Sequence, residues 1–502
     1  MITRKIVGAE AEALVQDQIR QHSGGIQDSL SVFNAGSAVS AWLEALRGVE
    51  ELINLPLFEL DDEQVVLELV SLRLDHLYPA QVANLQELLA GQFEAGVARR
   101  FVQTVLKSAA IGLAFRMHGM ECGEEFRTLG GAITYFQSRR RQMVALLYLM
   151  PRSCIGIESV EPLDALNVLL PIVEHSCIGL TTLYRHLVLL RIHDDYELTV
   201  GQQTFKGNYS LNTLDESFLE PERVGITEVS HDQVDATVLK HRMKLDSGRV
   251  FSSTELCNDL LAMEAAYAEF KLGETEFSAM ARFVVACSRH ARDQFHIELE
   301  ASTFKSLIVL CKLSSAAEQR LLYAGASYAE AINSFAPFIL VGSNYVTTVT
   351  LLSRFAYSYK TSCLNKIKRF QVRSGFIFEQ RVKDALEQQG FIITDVKRIE
   401  RKEFDVVVTK DSVIYNVQCK NNLVELRRIE ENPTLFVRYN QRLDRYYANA
   451  LRKEEGREGL LKERFGSEVV KHVVLSKFPV ATKNPRILAF REISQFGERF
   501  AR

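Results

Sequence analysis

Residues 403–420 read EFDVVVTKDSVIYNVQCK, and the reading of this stretch decides the fold of the C-terminal quarter of the chain. Two β-branched runs, 403–409 and 413–420, flank the polar pair Lys410-Asp411, a spacing that predicts a β-hairpin across a tight turn. Side chains alternate across a strand. One strand therefore sets Phe404, Val406 and Val408 against Asp405, Val407 and Thr409. Its partner sets Val413, Tyr415, Val417 and Cys419 against Ile414, Asn416, Gln418 and Lys420. A two-residue loop makes Thr409 oppose Ser412, so residue 405 faces 416 and residue 403 faces 418. Opposed residues share a face, so Asp405, Gln418 and Lys420 project together while the two apolar sets stack on the other side. An odd loop would break up both sets.

Working outward, residues 375–389 read as a helix with Phe378, Val382, Ala385 and Leu386 on one face, and Gly390 stands where a left-handed stop is expected. Residues 391–396 read as a strand. Beyond the hairpin come a long basic helix over 434–453, a further helical piece over 459–465, and strands over 469–475 and 486–490. The order α-β-β-β-α-β-β predicts an α/β domain on a mixed central sheet over residues 371–502.

The polar face of the hairpin suits phosphodiester hydrolysis. A hard cation such as Mg²⁺, or Mn²⁺ in its place, needs oxygen ligands. Asp405 offers a carboxylate, Gln418 an amide oxygen, and the Cys419 backbone carbonyl lies between them in sequence. Glu379, on the edge of the preceding helix, can add a second carboxylate to metal or water. Lys420 is placed to orient the attacking water or to neutralise charge that builds on the phosphate.

Phe378-Glu379 on a helix, then Glu403-Phe404-Asp405, then Gln418-Cys419-Lys420, resemble the PD-(D/E)xK nuclease superfamily. Within it the pattern is most similar to the Mrr-like branch of type IV restriction endonucleases, in which glutamine can stand at the middle position. The resemblance covers about residues 374–495, and the chain departs from the usual pattern at Phe404 and at the uncharged Gln418. It implies a restriction-endonuclease-like domain, Mg²⁺-dependent DNA cleavage, metal ligation at Asp405 and Gln418, Lys420 as the catalytic lysine, and Glu379 as the helical glutamate. By analogy the role is restriction or defence against foreign DNA. A non-catalytic nuclease-fold scaffold and a structure-specific or RNA-directed nuclease are the alternative expectations.

The rest of the chain reads differently. At 502 residues it allows roughly three domains of about 150 residues. Stretches such as 62–77, 96–113, 137–149 and 258–271 space their apolar residues three and four apart, which predicts a mainly α N-terminal body. Pro162 and Pro171 bracket an apolar piece that reads as a buried helix. Between residues 193 and 234 the pattern loosens enough for a hairpin or a linker. The expected divisions are 1–192, 193–370 and 371–502. The longest uncharged run, 331–353, reads as a buried helical segment rather than a membrane span, because it holds Asn333, Pro337, Gly342 and Asn344. The eight cysteines form no CxxC pair, and Met1 leads into Arg4, Lys5 and Glu10 without an apolar core. A reducing cytoplasmic setting is the expectation. Homo-oligomerisation is left open.

Charge divides unevenly. Residues 371–502 carry 26 Lys and Arg against 19 Asp and Glu, a net of +7 in a chain whose overall net charge is −3. No acidic residue occurs from Ala331 to Phe378, while Arg354, Lys360, Lys366, Lys368, Arg369 and Arg373 do. Lys366, Lys368, Arg369 and Arg373 are candidate phosphate contacts, with DNA as the expected partner. So are Arg438, Arg442 and Arg445, interleaved with Phe436, Tyr439, Tyr446 and Tyr447 on the basic helix and preceded by Arg427 and Arg428. Ser138 with Arg139, Arg140 and Arg141 reads as a solvated face.

Overall fold

The computed structural model describes residues 4–55, 63–201, 205–214, 237, 240–244, 248–422 and 428–500. Where apolar residues recur three and four apart, helices form, and they make up most of the chain. β1 (Arg4–Val7) leads into α1 (Gly8–Ser31) and α2 (Ala35–Ile53), followed by α3 (Ala95–Met117), α4 (Leu129–Ser153) and α5 (Ile178–Ile192). Trp42 on α2 is fully buried against α4, and its indole N–H donates to the Met143 carbonyl at 3.0 Å, which satisfies a buried donor.

Two expectations for this body are corrected. Arg139, Arg140 and Arg141 do not form a solvated face. Arg139 pairs with Glu174 at 2.9 Å, Arg140 pairs with the buried Glu50, and Arg141 donates to the Ile332 carbonyl at 2.8 Å. Their partners lie far along the chain, where sequence spacing cannot point. Pro171 does not end the helix Ala165–Ile172. A π-turn over Val173–Cys177 absorbs the lost N–H and joins it to α5. The resulting segment Ala165–Ile192 is long and apolar enough to cross a bilayer, and half of its most apolar window is buried within the protein.

β2 (Glu197–Val200) and β3 (Phe205–Gly207) form a hairpin that adds to β1 as a three-stranded antiparallel sheet. The loosened region thus begins as a hairpin, while residues 202–204 and 215–236 lie outside the described residues. A second sheet was not expected. β4 (Ala291–Arg292), β5 (His296–Glu300), β6 (Ile339–Val341) and β7 (Asn344–Thr348) pair in the order β4-β5-β7-β6. The uncharged run is therefore a short helix end, a hairpin and a helix start rather than one buried helical segment. Its Val and Thr favour extended backbone, and Gly342 takes a positive φ of 61° at the turn between β6 and β7.

α6 (Val349–Leu364) and α7 (Lys368–Glu387) follow with only three residues between them. The basic stretch is not uniformly solvated. Arg354 is buried and donates to the Ser334 carbonyl at 3.0 Å, and Lys360 is buried with its ammonium 4.9 Å from the centre of the Tyr267 ring.

After α7, Gly390 takes the left-handed conformation expected of it, with φ of 77°. β8 (Ile392–Ile393), a small hairpin of β9 (Arg398–Ile399) and β10 (Lys402–Glu403), β11 (Val406–Lys410) and β12 (Val413–Lys420) come next. α8 (Pro433–Glu455) and α9 (Glu458–Phe465) then lead to β13 (Val470–Ser476) and β14 (Ile487–Ala489). The central sheet has five strands in the order β14-β13-β12-β11-β8. β11 is antiparallel to both neighbours, and β12, β13 and β14 are mutually parallel. It is the mixed sheet the sequence pattern called for.

Helices cover both faces of the sheet. Phe378, Val382 and Leu386 of α7 pack on Val406, Val408, Tyr415, Val417, Val473 and Leu475. On the other face, Phe436, Val437, Leu443, Tyr447 and Leu451 of α8 share one cluster with Val474 and Ile487 and with Leu183, Leu187 and Val188 of α5. α8 is thus held between the sheet and the helical body.

Candidate functional site

Strand pairing fixes the site first. Val406 pairs with Val417 and Lys410 with Val413, so the two-residue turn is Asp411-Ser412, not Lys410-Asp411. Both turn residues have positive φ, 49° and 64°, as a tight hairpin matched to strand twist requires. The register therefore differs by two residues from the expected one. A shift of two keeps every side chain on its face. It also brings Asp405 level with Gln418 rather than with Asn416.

Phe404 is the exception to the alternation. It precedes the strand, on the far side of a bend at Asp405, and packs with Val407, Ile414 and Leu461 instead of joining Val406 and Val408. The bend turns the Asp405 carboxylate across the strand end. Its Oδ2 accepts the Cys419 backbone N–H at 2.8 Å and a hydrogen bond from the Gln418 side-chain amide. Coordination of a cation by the Gln418 oxygen would require that amide to turn over.

Glu379 lies on α7, one residue after the buried Phe378. Burial, and then the negative charge of Asp405, pushes its carboxyl up to about 7, against the counter-effect of Lys383 and Lys397. Burial and the same two carboxylates hold the Cys419 thiol well above its ordinary value. Both carboxylates therefore act on Cys419, and Glu379 carries the cost of the Asp405 charge.

Among the described residues no three His, Cys, Asp or Glu side chains form a metal-binding group. The donors available to a cation here are two carboxylates, one amide oxygen and backbone carbonyl oxygen. Such an all-oxygen set suits Mg²⁺ or Mn²⁺ and not zinc. The mutual repulsion of Glu379 and Asp405 is what a divalent cation would relieve, so the residues fit one.

Lys420 ends β12, two residues beyond Gln418. Its ammonium lies 6.0 Å from the centre of the Tyr446 ring on α8. Asn421, the next residue, donates to the Ser374 hydroxyl of α7 at 3.1 Å. The end of β12 is thereby tied to both covering helices.

The expected phosphate contacts fall into two groups. Lys366 and Arg369 reach acids of the helical body, Glu276 at 3.5 Å and Glu269 at 2.7 Å, and Lys368 is exposed. The Arg373 Nε is buried with no partner among the described residues. Arg438, Arg442 and Arg445 are all exposed on α8. Arg442 lies over the Tyr439 ring at 5.1 Å, and Arg445 donates to the Gln441 carbonyl at 3.2 Å. Arg427 and the side chain of Arg428 lie outside the described residues.

A buried polar network that sequence spacing did not reveal stands behind the site. Asn416 donates to Glu454 at 3.0 Å and lies 3.2 Å from His472, and Arg457 pairs with Glu454 at 3.1 Å. Asn416 shares its face with Gln418, and that parity was the only signal available. No family model, curated protein or solved structure matches the chain.

Proposed function

We propose that residues 371–502 form a restriction-endonuclease-like domain and that the protein is a Mg²⁺- or Mn²⁺-dependent DNA endonuclease acting in restriction or defence against foreign DNA. One observation carries this reading. Hairpin register sets Asp405 level with Gln418, two residues from Lys420, while α7 brings the Glu379 carboxyl within the field of Asp405. The five-stranded mixed sheet with helices on both faces supports the α/β part of that reading.

In this reading Asp405, Glu379, the Cys419 carbonyl and, with its amide turned over, the Gln418 oxygen would hold the cation. The bound cation supplies Lewis-acid polarisation of the phosphoryl oxygen and a more acidic water. Lys420 offsets the negative charge that develops on the scissile phosphate, and the Tyr446 ring helps to fix where its ammonium sits. Arg438, Arg442 and Arg445 hold the backbone beside it.

A second reading, a nuclease-fold scaffold without catalysis, draws support from the Gln418 amide, which donates to Asp405 and occupies that carboxylate without a cation. The experiment that separates the two is incubation of the full-length protein with plasmid, linear DNA and RNA, with and without Mg²⁺ or Mn²⁺, alongside Asp405→Ala and Lys420→Ala. Metal-dependent cutting that both variants abolish supports the enzyme. Wild-type protein that cuts nothing under either metal overturns it.

A further inference from the structure

The helices flanking the candidate site each carry an aromatic side chain that the fold leaves in water. Tyr446 on α8 is 52% exposed and Phe376 on α7 is 56% exposed. Each has buried aromatic neighbours on its own helix: Tyr447 and Phe378 are almost wholly enclosed. Exposure of Tyr446 and Phe376 is therefore a matter of position, not of a helix too short of core to bury them.

Their positions are specific. The Tyr446 ring faces the Lys420 ammonium at 6.0 Å. Phe376 precedes Glu379 by three residues, so the two neighbour each other along α7. The same turn of α7 holds Ser374, which receives Asn421 at 3.1 Å. One exposed ring thus borders the lysine and the other borders the glutamate.

Cationic side chains continue from the rings. Arg438, Arg442 and Arg445 follow one another at spacings of four and three, which aligns them on a single stripe of α8. Among the described residues none of the three makes an ion pair, although α8 also contains acids that are engaged elsewhere, Asp444 with Thr482 and Glu454 with Asn416. Tyr439 and Tyr446 lie on the same flank, Tyr439 beneath Arg442. Near the other ring, the Arg373 Nε is a buried donor without a protein acceptor among the described residues.

We propose that the nucleic acid reaches this site as an unpaired single strand of DNA, with bases stacked on Tyr446 and Phe376 and phosphates on the Arg438–Arg442–Arg445 stripe. Arginines alone would serve a duplex equally well, because duplex phosphates are on the outside. A duplex can use such rings only by unstacking a base step, which costs a few kcal/mol, because its bases are already stacked on one another. An unpaired base has a free π-face, and stacking on an aromatic side chain covers both surfaces from water without sequence preference. The inference rests on the nuclease reading for the site's chemistry but concerns only the form of strand that it holds.

Fluorescence anisotropy of the full-length protein in EDTA, with a labelled DNA oligonucleotide and with its duplex, tests this without any turnover. The single strand is expected to bind more tightly. Tyr446→Ala and Phe376→Ala should each weaken it by about 5-fold or more, leave duplex binding in place, and not alter folding, since both rings are exposed. Tyr446→Phe should retain single-strand binding. Equal affinity for both forms, or an equal loss for both in Tyr446→Ala, overturns the proposal. A single-strand preference in a protein that cuts nothing with Mg²⁺ or Mn²⁺ supports this inference and removes the nuclease reading. Metal-dependent cutting of duplex with no strand preference does the reverse.

Discussion

The Asp405 carboxylate accepts the backbone N–H of Cys419 at 2.8 Å, which fastens the start of β11 to the strand that carries Lys420. The same oxygen receives the Gln418 amide. Asp405 is consequently a structural link as well as a candidate ligand. Asp405→Ala is expected to lower stability by about 1–3 kcal/mol, since hydrogen bonds to a charged group are lost and a backbone donor is left unmet. Urea denaturation measures that cost, and Mg²⁺-dependent DNA cleavage should vanish in the same variant.

Gln418→Glu replaces a donor to Asp405 with a third carboxyl near Asp405 and Glu379. Without a divalent cation the added repulsion should lower Tm. With Mg²⁺ the loss should be recovered in full or exceeded, because a cation then has three carboxylates to bridge. Thermal denaturation in EDTA and in Mg²⁺, side by side, reads both effects. A Tm that ignores Mg²⁺ in this variant would remove Gln418 from the ligand set.

Glu379 makes the site sensitive to pH. Its folded-state value is raised from 4.5 to about 7, so between those values the folded protein holds a proton that the unfolded chain has released. The stability this proton contributes is fully present below about 4.5 and is lost as pH rises through 7. Glu379→Gln should therefore gain stability relative to wild type as pH rises, by roughly 1–2 kcal/mol at pH 8 after allowance for solvent, and show no gain at pH 4.5. Cation affinity runs the opposite way. Calorimetric titration with Mg²⁺ should show binding that strengthens between pH 6 and pH 8, with the rise absent in Glu379→Gln.

Neutralising the exposed stripe on α8 should change the salt dependence of binding. Each single-strand phosphate contact contributes about 0.7 log unit of affinity per log unit of salt. The triple change of Arg438, Arg442 and Arg445 to Ala should flatten the slope by about 2, measured by anisotropy across a salt series. A matching triple change at Lys366, Lys368 and Arg369 should flatten it less, because Glu276 and Glu269 already engage two of those cations.

Sequence pattern went furthest where a periodic constraint acted twice. The face shared by Gln418 and Lys420 was legible because the apolar set on β11 and β12 demanded the same parity, whereas Asp405 reaches Gln418 from a bend just before β11. Register was not legible, since Lys410-Asp411 and Asp411-Ser412 are equally polar and both preserve that parity. The bend that sends Phe404 to the opposite face lies outside the regular strand, where alternation has no force. Arg140 and Arg354 looked like surface charge because a partner 90 residues away, or a carbonyl supplied by another element, leaves no local trace. β6 and β7 hid within an uncharged run that read as one buried helical segment, although Pro337 and Gly342 interrupt it. The raised Glu379 carboxyl depends on burial, which exists only once α7 has docked.

Consider finally what α8 implies for severing the chain. A cut before residue 371 keeps every candidate catalytic side chain, yet it strips away the α5 residues that cover Phe436, Val437 and Leu443. The fragment would carry an open apolar wound along the helix that bears Tyr446, and should aggregate when expressed by itself. Within the whole chain one flank of that helix packs on α5 and the other borders Lys420, so the body that shields the helix from water also holds one edge of the candidate site.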